Sequence, residues 1–191
     1  MAVRAGRHQL GPDRGRIILR TFREGVAAQA GHDLIIEVGR WSGELMLNDD
    51  LSPAALTAQI DMTSLIVREG TGGLMPLTDR DRREIAATGR KTLGADRHPE
   101  AGFAAEKFEP GADGGGAISG TLTLAGAAGP LRLEVSRTGQ DRYHATTSVV
   151  QSRYGIKPYR GFMGALRVRD AVDVAVDVDL SEPAQATGGP P

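Results

Sequence analysis

Residues 166–180 place apolar side chains on alternate positions: Leu166, Val168, Val172, Val174, Val176, Val178 and Leu180. Between them stand Arg167, Arg169, Asp173, Asp177 and Asp179. A period of two belongs to a β-strand, which turns successive side chains to opposite faces. Valine, branched at Cβ, suits that pleated surface. One face is oily and the other charged, so this strand separates an apolar interior from water. The outward aspartates also oppose edge-to-edge association. At roughly 3.3 Å per residue, some 15 residues would span about 50 Å, too long for one straight strand of a small sheet. Asp170 interrupts the apolar row, and a bend or bulge is expected there. Strong curvature, as in a barrel wall, resolves the conflict of length.

The same grain runs through the rest of the chain. Further strands are expected over 16–24, 32–38, a third run through Leu47, 56–67, 100–108 and 117–124, then from Leu131 and from Tyr143. Gly 26 and Pro 10 in 191 residues suit many turns between short strands. Residues 126–130 are read as one such turn and 151–164 as a crossing loop. One helix is expected over 81–93. Thr78 caps it, Asp79 and Asp81 suit its positive N-terminus, and Gly94 ends it. Its apolar stripe is weak, which places it at the side or mouth of a sheet. Residues 1–15 read as an irregular arm, 16–180 as a single domain and 181–191 as a disordered tail. Strands without helix alternation exclude a doubly wound fold. The expectation is all-β: an extended antiparallel β-barrel of about eight strands with one helix.

Several function classes fall away. The net charge is −1 and basic residues are scattered, so no electrostatic argument points to nucleic acid or an anionic membrane. Without cysteine there is no disulfide, thiol catalysis or thiolate metal site. The first 16 residues hold no apolar run of the secretory kind, and no window approaches the roughly 20 apolar residues of a membrane span. The expected location is cytoplasmic, without integral membrane contact. Ser42, Ser64, Ser148 and Ser152 sit in no Gly-x-Ser-x-Gly elbow. The glycine runs at 70–73 and 114–116 lack the phosphate-loop spacing. His32 and Asp33, adjacent on a strand, face opposite ways and form no local dyad. A metal centre from His32, His98 and His144 would need a convergence that their spacing does not impose. No nucleophile, base and orienter line up, so the chain is not read as an enzyme.

A set of segments carries a resemblance: Gly31-His32-Asp33-Leu34, then Trp41-Ser42-Gly43, then the polar helix leading into His98-Pro99-Glu100-Ala101-Gly102-Phe103. They continue with Gly120-Thr121-Leu122-Thr123-Leu124-Ala125-Gly126, Pro130-Leu131-Arg132-Leu133 and Gln151-Ser152-Arg153-Tyr154-Gly155-Ile156. In their order and spacing the chain resembles the YceI-like family, often called polyisoprenoid-binding proteins. The resemblance implies a lipocalin-like barrel. It also implies an apolar ligand such as an isoprenoid quinone or polyprenyl lipid, and no other cofactor. Many family members are secreted or periplasmic, whereas no leader is expected from the first residues of this chain, and its aromatic content of 4% leaves few rings to line a tunnel.

The candidate ligand contacts are Leu19, Leu34, Ile36, Phe103, Leu122, Leu124, Leu133 and Phe162 inside the barrel. Leu74 and Met75 would touch the ligand from a lid formed by their loop and the helix, and Tyr154, Tyr159, Phe162 and Met163 would rim the same or the opposite mouth. Gly43, Gly102 and Gly120 on strands leave room inside. Arg20, His32 or Arg153 could hold a head group. The alternation serves a solid core equally well. The leading expectation is a non-enzymatic carrier of an apolar molecule. The alternatives are an interaction module with a solid core, as a monomer or a homodimer, and, last, an enzyme on a hydrophobic substrate.

Overall fold

In the computed structural model, which describes residues 3–181, the chain forms strands joined by short turns, with one α-helix. The elements are β1 (Gly6–Leu10), β2 (Gly15–Thr21), β3 (Arg23–Glu24), β4 (Asp33–Val38), β5 (Trp41–Leu47), β6 (Pro53–Asp61), β7 (Leu65–Thr71) and α1 (Asp79–Thr92). They continue as β8 (Glu100–Pro110), β9 (Gly116–Leu124), β10 (Ala127–Arg137), β11 (Arg142–Val150), β12 (Arg160–Gly161), β13 (Leu166–Val168) and β14 (Ala171–Asp179). Eleven strands make one strongly curled sheet, in the order β1-β5-β6-β8-β9-β10-β11-β14-β2-β4-β7. β12, β13 and β3 make a small second sheet. Every pairing is antiparallel.

The all-β antiparallel class is as expected, but two features are corrected. The strands of the main sheet number eleven, not about eight, and β1 and β7 do not pair, so the hydrogen-bonded order has two ends instead of closing as a barrel. The cause is bending. The runs 6–21, 33–47 and 53–71 each break in two, at 11–14, 39–40 and 62–64. Buried Ser64 pins two of these bends together. Its carbonyl accepts from the Gly39 amide at 2.9 Å and its Oγ from the Arg40 amide at 2.9 Å, while that Oγ donates to the Asp61 carbonyl at 2.6 Å.

The terminal stretch is likewise not one strand. The bend expected at Asp170 is there: its carboxylate accepts from the Ser152 amide at 2.8 Å and from Ser152 Oγ at 2.5 Å. Leu166–Val168 thereby leaves the main wall and pairs with β12 and β3 in the small sheet. Of the arm expected over 1–15, residues 6–10 are strand β1, paired with β5; Met1 and Ala2, like the tail from 182 onward, lie outside the described residues. Residues 127–130, expected as turn, are ladder: only Ala125 and Gly126 turn the chain, both at positive φ (51° and 80°), as a two-residue hairpin requires.

Helix α1 packs along β7, an end strand of the sheet, which is one way that proteins protect a free edge. Thr78 caps it as expected. Its hydroxyl accepts from the Asp81 amide at 3.2 Å, and the Asp81 carboxylate accepts from the Thr78 amide at 2.8 Å, which completes a capping box.

Asp179 closes β14 with a pH-sensitive clasp. Its carboxylate accepts from Ser181 Oγ at 2.5 Å and from the Ser181 amide at 2.9 Å, and Arg142 Nε lies 3.1 Å away. The Ser181 hydroxyl, then its amide, and last Arg142 hold the carboxyl down to about 2 against the opposing effect of burial. A carboxyl that titrates lower in the folded chain adds stability above the ordinary carboxylate pKa of about 3.9. That contribution drains away as the pH falls toward about 2. Asp179→Asn is expected to flatten the fall of the melting temperature across this window. An equally steep fall in the variant would mean that other carboxyls carry the acid sensitivity.

Candidate functional site

The inward faces of the main sheet surround a cavity of about 1350 Å³. Its wall follows the alternation. Val172, Val174, Val176 and Val178 of β14 border it, while Asp173, Asp177 and Asp179 face out to Arg169, to Arg16 and His144, and to Arg142. β10 repeats the scheme with Leu131, Leu133 and Val135 inside and Arg132 bound to Glu109 and Glu134 outside. The interior is hollow and not packed. Inward leucines such as Leu19, Leu34, Leu131 and Leu133 remain half-buried, and Val38 is the one large side chain below 2% exposure among the described residues. A filled core would bury its large apolar residues almost completely.

Nine of the expected contacts border this space: Leu19, Leu34, Ile36, Leu74, Met75, Phe103, Leu122, Leu124 and Leu133. Two do not. Tyr154 sits in a 3-10 turn (Gln151–Tyr154) and is buried, and its ring faces Gly129 on β10, where an added Cβ would stand 3.3 Å from it. Burial pushes the Tyr154 hydroxyl's pKa up. Phe162 is 65% exposed, outside the cavity. Leu10 also borders the cavity, from a segment with no apolar rhythm, as do the valines of β14, whose period of two marks an inward face.

The cavity reaches both ends of the sheet. At one end it is bordered by Arg23, His32, the 74–77 loop and Leu166, and at the other by Leu51, Gly114 and Arg137. α1 contributes Ile85 and Thr88 from the side, and Leu93, just past its last turn, joins them. At the first mouth Arg23 and His32 are already engaged, whereas the buried Thr21 Oγ1 on the same wall has no hydrogen-bond partner among the described residues. Arg23 Nη1 donates to the Gly31 carbonyl at 2.6 Å, and the Arg23 amide to Asp33 at 2.8 Å. His32 Nε2 lies 2.8 Å from the Met75 carbonyl and so ties strand β4's start to the 74–77 loop. Arg20 and Arg153, the other head-group candidates, do not border the cavity.

The histidines expected as metal candidates have separate surroundings. His32 holds the Met75 carbonyl, His144 Nδ1 lies 2.7 Å from Asp177, and the His98 ring sits beside Gly126. Among the described residues no group of three His, Asp or Glu side chains is arranged to hold a metal ion. Two carboxyls that border the cavity titrate low for outward reasons: Asp81 through the Thr78 hydroxyl, and Glu109, down to about 2, through Lys107 and Arg132. No helix among the described residues is long and apolar enough to cross a membrane.

What this geometry offers is a long apolar enclosure with structural polar groups at its openings. Solved structures share the fold. BcnA of Burkholderia cenocepacia superimposes with a TM-score of 0.58 at 15% identity, over 86% of this chain and 94% of that one. The YCEI protein of Campylobacter jejuni superimposes with a TM-score of 0.56 at 16% identity, over 78% of this chain and 84% of that one. A search of curated proteins finds no match. The family model described as the YceI-like domain matches residues 23–180, which takes in β4 to β14, the helix and nearly all of the cavity wall. The chain belongs to the YceI-like family.

Proposed function

We propose that this protein is a non-enzymatic carrier that holds an apolar, isoprenoid-like chain, a polyprenyl lipid or an isoprenoid quinone, inside the curled sheet. The single observation behind this reading is the cavity of about 1350 Å³ with an aliphatic wall. Family membership supports it. The driving force is desolvation: each methylene that leaves water gains about 0.8 kcal/mol, so a five-carbon isoprene unit gains about 4 kcal/mol. Leu19, Leu34, Ile36, Phe103, Leu122, Leu124 and Leu133 form the contact surface, and Leu74 and Met75 cover a mouth as a lid. Arg23 and His32 are spent on holding loops, so the ligand's grip lies in its tail and not in a charged head group.

Native mass spectrometry of freshly purified protein, followed by solvent extraction, tests this. A bound mass that releases an isoprenoid-like lipid is the expected result. Protein that neither carries such a mass nor takes up an added isoprenoid quinone would refute the carrier.

A further inference from the structure

One mouth of the cavity wears the apolar surface that the outer wall lacks. Eight large hydrophobic side chains are exposed among the described residues, and six of them, Val26, Leu74, Met75, Tyr159, Phe162 and Met163, lie on segments joined around that mouth. β12 pairs with β13 and β13 with β3. The Ala27 amide donates to the Ala165 carbonyl at 2.9 Å, and His32 links to Met75 on the far side. Leu74, Met75 and Tyr159 border the cavity itself, so the apolar rim is continuous with its interior. Clusters of this kind mark a surface that meets something less polar than water.

Two further observations say what it meets. Phe162 and Met163 both hold positive φ, 48° and 54°, a conformation unfavourable for any residue with a Cβ. Burial does not compensate, because Phe162 is 65% exposed and Met163 fully so. The backbone is held in a strained form that thrusts two apolar side chains outward. Beside them, Lys157 and Arg160 have no carboxylate partner among the described residues, in a chain whose net charge is −1. Exposed apolar side chains with unpaired, exposed cations close by in the chain match the boundary of an anionic bilayer.

We propose that this rim docks on an anionic lipid surface. Val26, Phe162 and Met163 enter the acyl boundary, and Lys157 and Arg160 meet the lipid phosphates. The mouth then opens onto the bilayer, and an apolar chain passes into the cavity without crossing water. That last step rests on the carrier reading; the docking does not.

Flotation of the full chain with vesicles of phosphatidylcholine and phosphatidylglycerol in equal parts tests it. The protein is expected to float with these vesicles and less with phosphatidylcholine alone. Val26→Ser/Phe162→Ser/Met163→Ser is expected to weaken partitioning by about tenfold or more. Lys157→Glu/Arg160→Glu is expected to weaken it on the anionic vesicles only, and provides a second reading should the serine variant misfold. None of these five residues borders the cavity, so uptake of N-phenyl-1-naphthylamine in vesicle-free buffer stays unchanged in both variants. A wild-type protein that stays out of the lipid layer, or a serine variant that floats like the wild type, overturns the proposal. So does a dimer in light scattering that the serine changes dissociate without any vesicle binding, since the rim would then face a second copy. Failure of probe uptake with flotation intact would strike at the carrier and leave the docking standing.

Discussion

Ala58→Trp/Ala145→Trp is expected to lower the affinity for an apolar chain by about 100-fold while the protein stays folded. Ala58 on β6 and Ala145 on β11 both border the cavity and stand four strands apart in the sheet, so two indoles would close in from different walls. If together they displace about four methylenes of ligand, the loss is about 3 kcal/mol, or roughly 100-fold in binding. The stability change separates this structure from a solid one. In a packed core, oversized side chains cost about 1–3 kcal/mol each through strain. Here they enter vacant space and cover half-buried leucines, so the melting temperature is expected to hold or rise. Titration with a fluorescent apolar probe and a thermal melt read the two effects separately. Unaltered affinity would place the ligand elsewhere, and a large drop in melting temperature would mean that the interior is filled.

A large loss of stability from one methyl group is expected at Gly120→Ala. Gly120 lies on β9 opposite the irregular register of β8 between Ala105 and Lys107. A Cβ there would stand 2.2 Å from the Ala104 carbonyl oxygen and 2.8 Å from the Ala105 Cα. Both are backbone atoms, so the two strands must part to admit it. We expect a loss of about 3 kcal/mol, the upper end of what overpacking costs. For a domain of this size that is a drop of about 10 °C in melting temperature. Gly102→Ala is the control: it sits in the same pair of strands, and the nearest atom to its added Cβ is the Ala58 carbonyl at 3.8 Å. That variant is expected to melt within about 2 °C of the wild type. Equal behaviour of the two would show that β8 and β9 do not approach as closely at Gly120 as described.

Gly120 also shows how far sequence reasoning reached. As a glycine on a strand it is expected, with Gly43 and Gly102, to leave space inside. Gly43 does border the cavity, but Gly102 and Gly120 do not, and the missing side chain of Gly120 serves the close approach of β8. Alternation revealed which faces turn inward, because a period of two survives any curvature of the sheet; the four valines of β14 and the leucines of β10 follow it. It could not reveal where strands bend. The break at 62–64 depends on Ser64 bonding across to Gly39 and Arg40, residues distant in sequence. Nor could it tell a lined cavity from a filled one, since both need the same apolar residues and differ only in how far apart the walls stand. β1 is not legible in the sequence because Gly6, His8 and Gln9 carry no apolar rhythm and the ladder with β5 holds that segment in place.

The hollow interior has a thermal consequence. Unfolding raises heat capacity because hidden oily surface becomes hydrated, at about 12–15 cal/mol/K per residue in densely filled domains. In this protein much of the valine and leucine lining is already accessible before melting. The calorimetric step should therefore fall below that range, and the curve of stability against temperature should be broader and shallower. An occupant that dries the lining would restore the missing curvature, so the empty and occupied protein would differ in how steeply they respond to both cooling and warming.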